Sequence, residues 1–209
     1  MTSTAPVARQ RGAALLATVV ILLAMMIAGA SAMRSALVGE WAARAERDRD
    51  VALQAAEAAL RDAERDIDGD AGVDAARAAL FAPGAAASFV DGCGSGRANP
   101  ALGLCARTLP PAPPAWQQAA LDEPEPAELR FVEYGRFTAA AMPVGQATLP
   151  ARLPRYIIEQ LPYVAAGESA GQQAALFYRI TAIGFGASAA NHVVLQIYYL
   201  KPVAAEQSA

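Results

Sequence analysis

The sequence predicts an α+β protein in which one long N-terminal helix packs on a four-stranded antiparallel sheet. Two observations carry this prediction. A stretch without proline extends from residue 13 to residue 68, and its first half is apolar while its second half is amphipathic. The last third of the chain instead contains segments rich in β-branched and aromatic residues, which is typical of strands.

The first half of the predicted helix, residues 13–33, carries no charged side chain. About 20 apolar helical residues cross a hydrocarbon core of about 30 Å, so this segment is long enough to span a membrane. Arg9 and Arg11 precede it and favour a cytoplasmic N-terminus, which would place the rest of the chain on the far side. A cleaved signal peptide is the alternative, because Ala30-Ser31-Ala32 fits the small-residue cleavage pattern.

The second half of the helix, residues 34–68, has apolar residues in steps of three and four, which predicts one stripe that packs on a domain. The stripe consists of Leu53, Ala56, Leu60, Ala63 and Ile67. Charged residues occupy the other faces, so Asp62 and Asp66 are expected to face solvent. Gly69 predicts the end of the helix.

The region after the helix, residues 69–128, is rich in Gly, Pro and Ala, and we expect a variable connecting region. It contains both cysteines of the chain, Cys93 and Cys105. Beyond a membrane segment such a pair indicates a disulfide. Two unpaired thiols or half of a zinc site are the alternatives, although His192 is the only histidine and no CxxC motif occurs.

The remaining residues, 129–209, are predicted to form the antiparallel sheet. The four strand segments are residues 129–137, 155–161, 175–185 and 192–200. The usual nucleophile, metal and nucleotide motifs do not occur, so neither an enzyme nor a cofactor is expected. The net charge of −3 and the lack of a basic cluster beyond the first residues argue against nucleic-acid binding.

Three parts of the sequence look like one known family. The short basic leader Arg9-Gln10-Arg11-Gly12 directly precedes the apolar segment, as in type IV prepilins. The run Gln54–Glu64, with Ala-Glu-Ala-Ala-Leu-Arg-Asp-Ala-Glu inside it, and the closing segments at 178–186 and 193–196 resemble the PilX family of minor pilins. The resemblance implies the type IV pilin fold, and a leader peptide of residues 1–12 that a prepilin peptidase removes between Gly12 and Ala13. It also implies possible N-methylation of Ala13.

The chain departs from the pattern of major pilins at the fifth residue of the predicted mature protein, where they carry Glu and this sequence has Ala17. The same departure occurs in PilX-like minor pilins and in GspK-like tip pseudopilins. It leads to the hypothesis of a subunit at or near the pilus tip that helps to initiate assembly. The alternative is that Ala17 is ordinary membrane filler without positional meaning, because a membrane-spanning helix accepts Ala freely.

The resemblance further implies other minor pilins, the major pilin and a large tip adhesin as partners. It implies a location in the bacterial inner membrane, with a periplasmic C-terminal domain, and then in the fibre. A GspK-like pseudopilin of type II secretion, or a single-pass periplasmic protein of another function, is the alternative.

Overall fold

The longest element of the protein is its N-terminal helix. A computed structural model describes residues 13–82, 84–145, 148–162 and 176–201. Helix α1 spans Ala13–Asp68 and ends at the predicted glycine, whose φ of +73° suits the left-handed turn after a helix. The chain divides into two compact units, residues 1–46 and 47–209. The predicted leader, residues 1–12, lies outside the described residues.

The second unit contains a mixed sheet of five strands. Its strands are β1 (Leu104–Ala106), β2 (Val132–Glu133), β3 (Arg155–Leu161), β4 (Phe177–Phe185) and β5 (His192–Leu200). Strands β3, β4 and β5 are antiparallel neighbours, while β1 lies parallel to one end of β3 and β2 antiparallel to its other end. Two short helices, α2 (Ala75–Ala78) and α3 (Ala115–Gln118), belong to the connecting region.

The predicted α+β class is confirmed, but the strand count and the purely antiparallel pairing were wrong. The connecting region contributes β1, a parallel strand of three residues that is too short to show an alternating pattern. The predicted strand at 129–137 is reduced to β2. Beyond β2 the Tyr134 N–H still donates to the Pro154 carbonyl oxygen at 2.9 Å, but proline has no N–H to return the bond, and Gly135 turns the chain with a φ of +75°. In contrast, β3 and β5 have the predicted limits.

The helix packs on the sheet through small side chains. Ala56, Leu60, Ala63 and Ile67 of the predicted stripe are buried, but Leu53 is 37% exposed. Ala52, Ala55 and Ala59 are buried instead. The stripe is therefore rotated towards alanines, because only small side chains let the helix backbone come this close to the sheet.

Gly184 in β4 is the position where helix and sheet come closest. A Cβ atom at this position would stand 2.1 Å from the Ala52 carbonyl oxygen and 2.2 Å from the Ala56 backbone nitrogen. Both are backbone atoms of α1 and cannot move aside as a flexible side chain could.

We expect Gly184→Ala to lower the free energy of unfolding by about 1–3 kcal/mol, because the helix must shift off the sheet. Chemical denaturation of the full-length chain in detergent measures the change. Gly39→Ala is the matched control, since a Cβ atom there meets nothing within 4 Å. That control should be neutral or slightly stabilising, as Ala is the better helix former. Equal stability of the two variants would contradict the close packing at Gly184.

Candidate functional site

The first part of α1 is an exposed apolar surface. Every residue from 13 to 47 is exposed, and the large hydrophobic side chains between Leu15 and Ile27 are 53–72% accessible. This part of the helix is long and apolar enough to cross a membrane. An apolar surface of this extent requires an apolar surrounding, either lipid or protein.

The predicted cleavage position adjoins the start of this surface. Ala13 is the first residue of α1, while Gly12 lies outside the described residues. The first turn of α1 carries no acidic side chain. Ala17 lies in the second turn, so this stretch offers no carboxylate to a neighbouring amine.

The second part of α1 holds two buried carboxylates that sequence reasoning placed in solvent. Asp62 and Asp66 are both fully buried, and so is Arg77 of α2. The prediction was wrong because helical periodicity separates an apolar stripe from the other faces but does not reveal a polar partner that arrives from another segment. The run of acidic residues near the helix end was the only available signal.

Asp66 and Arg77 form a buried ion pair that joins the helix to the connecting region. The guanidinium group donates from Nε to Asp66 Oδ1 at 2.9 Å and from Nη2 to Oδ2 at 2.7 Å. Its Nη1 donates to the carbonyl oxygens of Pro100 at 2.6 Å and Leu102 at 2.9 Å. The Tyr156 hydroxyl of β3 donates to Asp66 Oδ2 at 3.0 Å. Helix, connecting region and sheet therefore share one fully hydrogen-bonded network.

Asp62 holds the loop that follows β2. Its carboxylate accepts hydrogen bonds from the backbone N–H of Gly135, at 2.7 Å, and from the hydroxyl of Thr138. Burial raises the pKa of Asp62 above its ordinary value, and the two hydrogen bonds and Arg65 oppose this rise only in part.

The raised pKa of Asp62 predicts the direction in which the stability of the protein changes with pH. The folded state binds this proton more tightly than the unfolded state does, so stability from this group increases as the pH falls through the raised pKa towards 3.8. The stability of the wild type relative to Asp62→Asn should therefore rise as the pH is lowered from 7 towards 4. Urea titrations of both proteins at matched pH measure this difference, and a difference that falls with acidification would contradict the prediction.

The last strand and the residue that follows it contact the C-terminal end of α1. Lys201 donates from Nζ to the carbonyl oxygens of Ile67 at 2.7 Å and Phe81 at 3.2 Å. The Tyr199 hydroxyl donates to the carboxylate of Asp68, at 2.8 Å and 2.7 Å to its two oxygens. A lysine at this end satisfies exposed carbonyl groups and complements the helix dipole.

The two cysteines form the disulfide. The Cys93–Cys105 S–S distance is 2.01 Å. Both residues are buried on the outer face of the sheet, the face that points away from α1, among side chains that include Ile157 and Phe185. Cys105 lies in β1, so the bond links the connecting region to the sheet. His192 is exposed at the start of β5. Within the described part of the chain, no group of three or more His, Cys, Asp or Glu side chains could hold a metal ion.

A comparison with protein families identifies the C-terminal region. The profile described as type IV pilus assembly protein PilX C-term matches residues 89–201, which is more than half of the 209 residues. The chain belongs to the PilX family. No curated protein and no solved structure matches it.

The family assigns the chain to type IV pilus assembly as a minor pilin, which is a structural component of the pilus. Membership together with the apolar helix fits a membrane-anchored pilin. The match begins at Phe89, after α1. The leader and its cleavage at Gly12 therefore stay predictions.

Proposed function

We propose that the chain is made as a prepilin, cleaved after Gly12, and moved by its apolar helix from the inner membrane into the core of a type IV pilus. The exposed apolar surface between Leu15 and Ile27 carries this proposal. Lipid before assembly and the helices of neighbouring subunits after assembly would cover it in turn. The Cys93–Cys105 disulfide supports a periplasmic position for the second unit, because such bonds persist in oxidising compartments.

The proposed position is the tip of the fibre, where the chain would help to initiate assembly. A carboxylate in the hydrocarbon region costs about 2.5–3.5 kcal/mol and needs a partner. In the pilins that this chain resembles, that partner is the N-terminal amine of the next subunit towards the tip. Ala17 removes both the cost and the need for such a neighbour. The partners proposed on the same resemblance are other minor pilins, the major pilin and a large tip adhesin.

Mass spectrometry of the mature N-terminus tests the maturation step, and it also reads out methylation of Ala13. We expect a protein that starts at Ala13, and an uncleaved protein when Gly12→Val removes the predicted cleavage position. A start at Met33 would indicate a cleaved signal peptide, and an intact Met1 would indicate a plain anchor. Either result would contradict the proposal.

The tip position is tested separately by immunogold labelling of purified pili. We expect label at one end of the fibre. Label distributed evenly along the shaft would contradict the tip assignment while leaving the pilin role intact.

A further inference from the structure

The last strand of the sheet lies at an edge. Strand β5 pairs along its full length with β4, from His192 opposite Phe185 to Leu200 opposite Phe177. Among the residues that the structure describes, no strand pairs with its other side. An edge strand offers backbone N–H and C=O groups that can pair with a strand of another chain.

The outer face of β5, which points away from α1, is exposed and carries three large apolar side chains together with the polar His192 and Gln196. Val194, Tyr198 and Leu200 point to this face and are 43%, 60% and 45% exposed. The same face of β3 and β4 is different, because Ile157 and Ile183 are buried under the connecting region around the disulfide. Among the described residues, the connecting region therefore covers this face of β3 and β4 but not of β5.

Strand β5 lacks the features that usually block an edge. Natural sheets protect such strands with charged side chains, proline, bulges or short length. The nine residues His192–Leu200 contain no Asp, Glu, Lys, Arg, Pro or Gly, and their pairing with β4 is continuous. In the part of the chain that the structure describes, the edge is therefore open to strand addition in its chemistry as well as in its position.

Tyr198 of β5 and Arg179 of the neighbouring β4 are each held by contacts with other side chains. Tyr198 stacks on Phe177 with ring centroids 5.7 Å apart and planes at 9°. Arg179 lies opposite Tyr198 in the ladder and donates from Nη2 to Oε1 of the buried Glu159 at 2.6 Å. Tyr and Arg side chains that are already held in place are typical anchors of protein interfaces.

One end of the edge is acidic. The Tyr199 hydroxyl contacts Asp68, and Glu64 and Asp70 are close enough to influence it. Burial is the main cause of the raised pKa of Tyr199, and these three carboxylates raise it further. The nearby Lys201 is engaged by backbone carbonyl groups. A partner that reaches the Leu200 end of β5 therefore meets negative charge.

We propose that β5 accepts an extended segment of another pilus subunit as a sixth strand of the sheet. Alternate apolar side chains of that segment would cover Val194, Tyr198 and Leu200, and a basic side chain at one end would meet Asp68. Backbone hydrogen bonds supply affinity in this kind of recognition, and the side-chain pattern supplies specificity. The inference rests on the proposed function, because it names the surface through which this minor pilin binds its neighbour.

Site-specific photo-cross-linking in cells that assemble pili tests this proposal. A benzophenone amino acid replaces Tyr198 in the full-length chain, and the same probe at Val144 is the control. We expect position 198 to yield an adduct with a peptide of another pilus subunit, and position 144 to yield none. An adduct within the same chain, an adduct with a second copy, or equal results at both positions would overturn the proposal.

A matched pair of substitutions provides the second measurement. Val194→Lys places a charge on the edge, while Val144→Lys alters a valine of almost equal exposure, 41% against 43%, outside the sheet. With probes at Tyr198, we expect the first substitution to reduce the adduct roughly tenfold or more and the second to leave it unchanged. Unfolding of both variants in detergent checks that each is folded.

Deletion of the whole chain separates this inference from the proposed function. If deletion abolishes pili while Val194→Lys assembles them with an undiminished adduct, strand addition at β5 is overturned and the pilin role stands. If deletion leaves pilus number unchanged, the proposed role in assembly is overturned, and the inference with it.

Discussion

Replacing Arg77 with methionine is expected to lower the free energy of unfolding by about 3–5 kcal/mol, the usual cost of breaking a buried ion pair from one side. The Asp66 carboxylate, which is fully buried, would lose its countercharge. The carbonyl oxygens of Pro100 and Leu102 would lose their donor at the same time. Denaturation of the full-length chain in detergent measures the loss.

The ion pair between Arg61 and Glu57 provides the control. Both of its residues lie on α1, the helix of Asp66, with an N–O distance of 3.2 Å. Their side chains, however, are 68% and 46% exposed. Arg61→Met should cost at most about 1 kcal/mol, because solvent screens exposed pairs. The combined change Asp66→Leu and Arg77→Met should recover part of the loss, since it leaves no unpaired charge. Similar stabilities of Arg77→Met and Arg61→Met would contradict the burial of this network.

Removing the disulfide is the second change with a large expected effect. Replacing both Cys93 and Cys105 with alanine should lower the free energy of unfolding by about 3 kcal/mol, the chain-entropy value for a loop of this length. The two residues are 12 positions apart, and the loop between them leads into β1. We therefore expect the parallel pairing of β1 with β3 to loosen first.

Reduction of the wild type gives an independent test of the same bond. The reduced wild type should approach the stability of the double alanine variant, while the variant should not respond to the reductant. Hydrogen exchange at Ile158, whose N–H donates to the Gly103 carbonyl oxygen at 2.9 Å, reports on the strand next to the loop. Unchanged stability after reduction would show that the bond does not constrain the unfolded chain.

The elements with the strongest local patterns were predictable from the sequence. The absence of proline and the glycine at position 69 define α1, and β-branched runs define β3 and β5. The pairing of Cys93 with Cys105 followed from the scarcity of cysteine and the expected compartment. These features depend on residues close together in the chain or on simple counting.

The sites that join the layers could not be predicted in the same way. Glu159 of β3 is fully buried, and Arg179 of the next strand donates hydrogen bonds to both of its carboxylate oxygens. Burial of a charged group depends on whether a partner arrives from elsewhere in the chain. A single strand carries no sign of that partner.

The sequence by itself determined the long helix, its apolar and amphipathic halves, the α+β class and the resemblance to PilX, because each arises from local periodicity or from contiguous motifs. Only the tertiary structure decided that β1 joins the sheet in parallel, that alanines rather than Leu53 face Gly184, and that Asp62 and Asp66 are buried. Those outcomes depend on contacts between residues far apart in the chain. These contacts stabilise the protein only once the helix, the connecting region and the sheet have packed together.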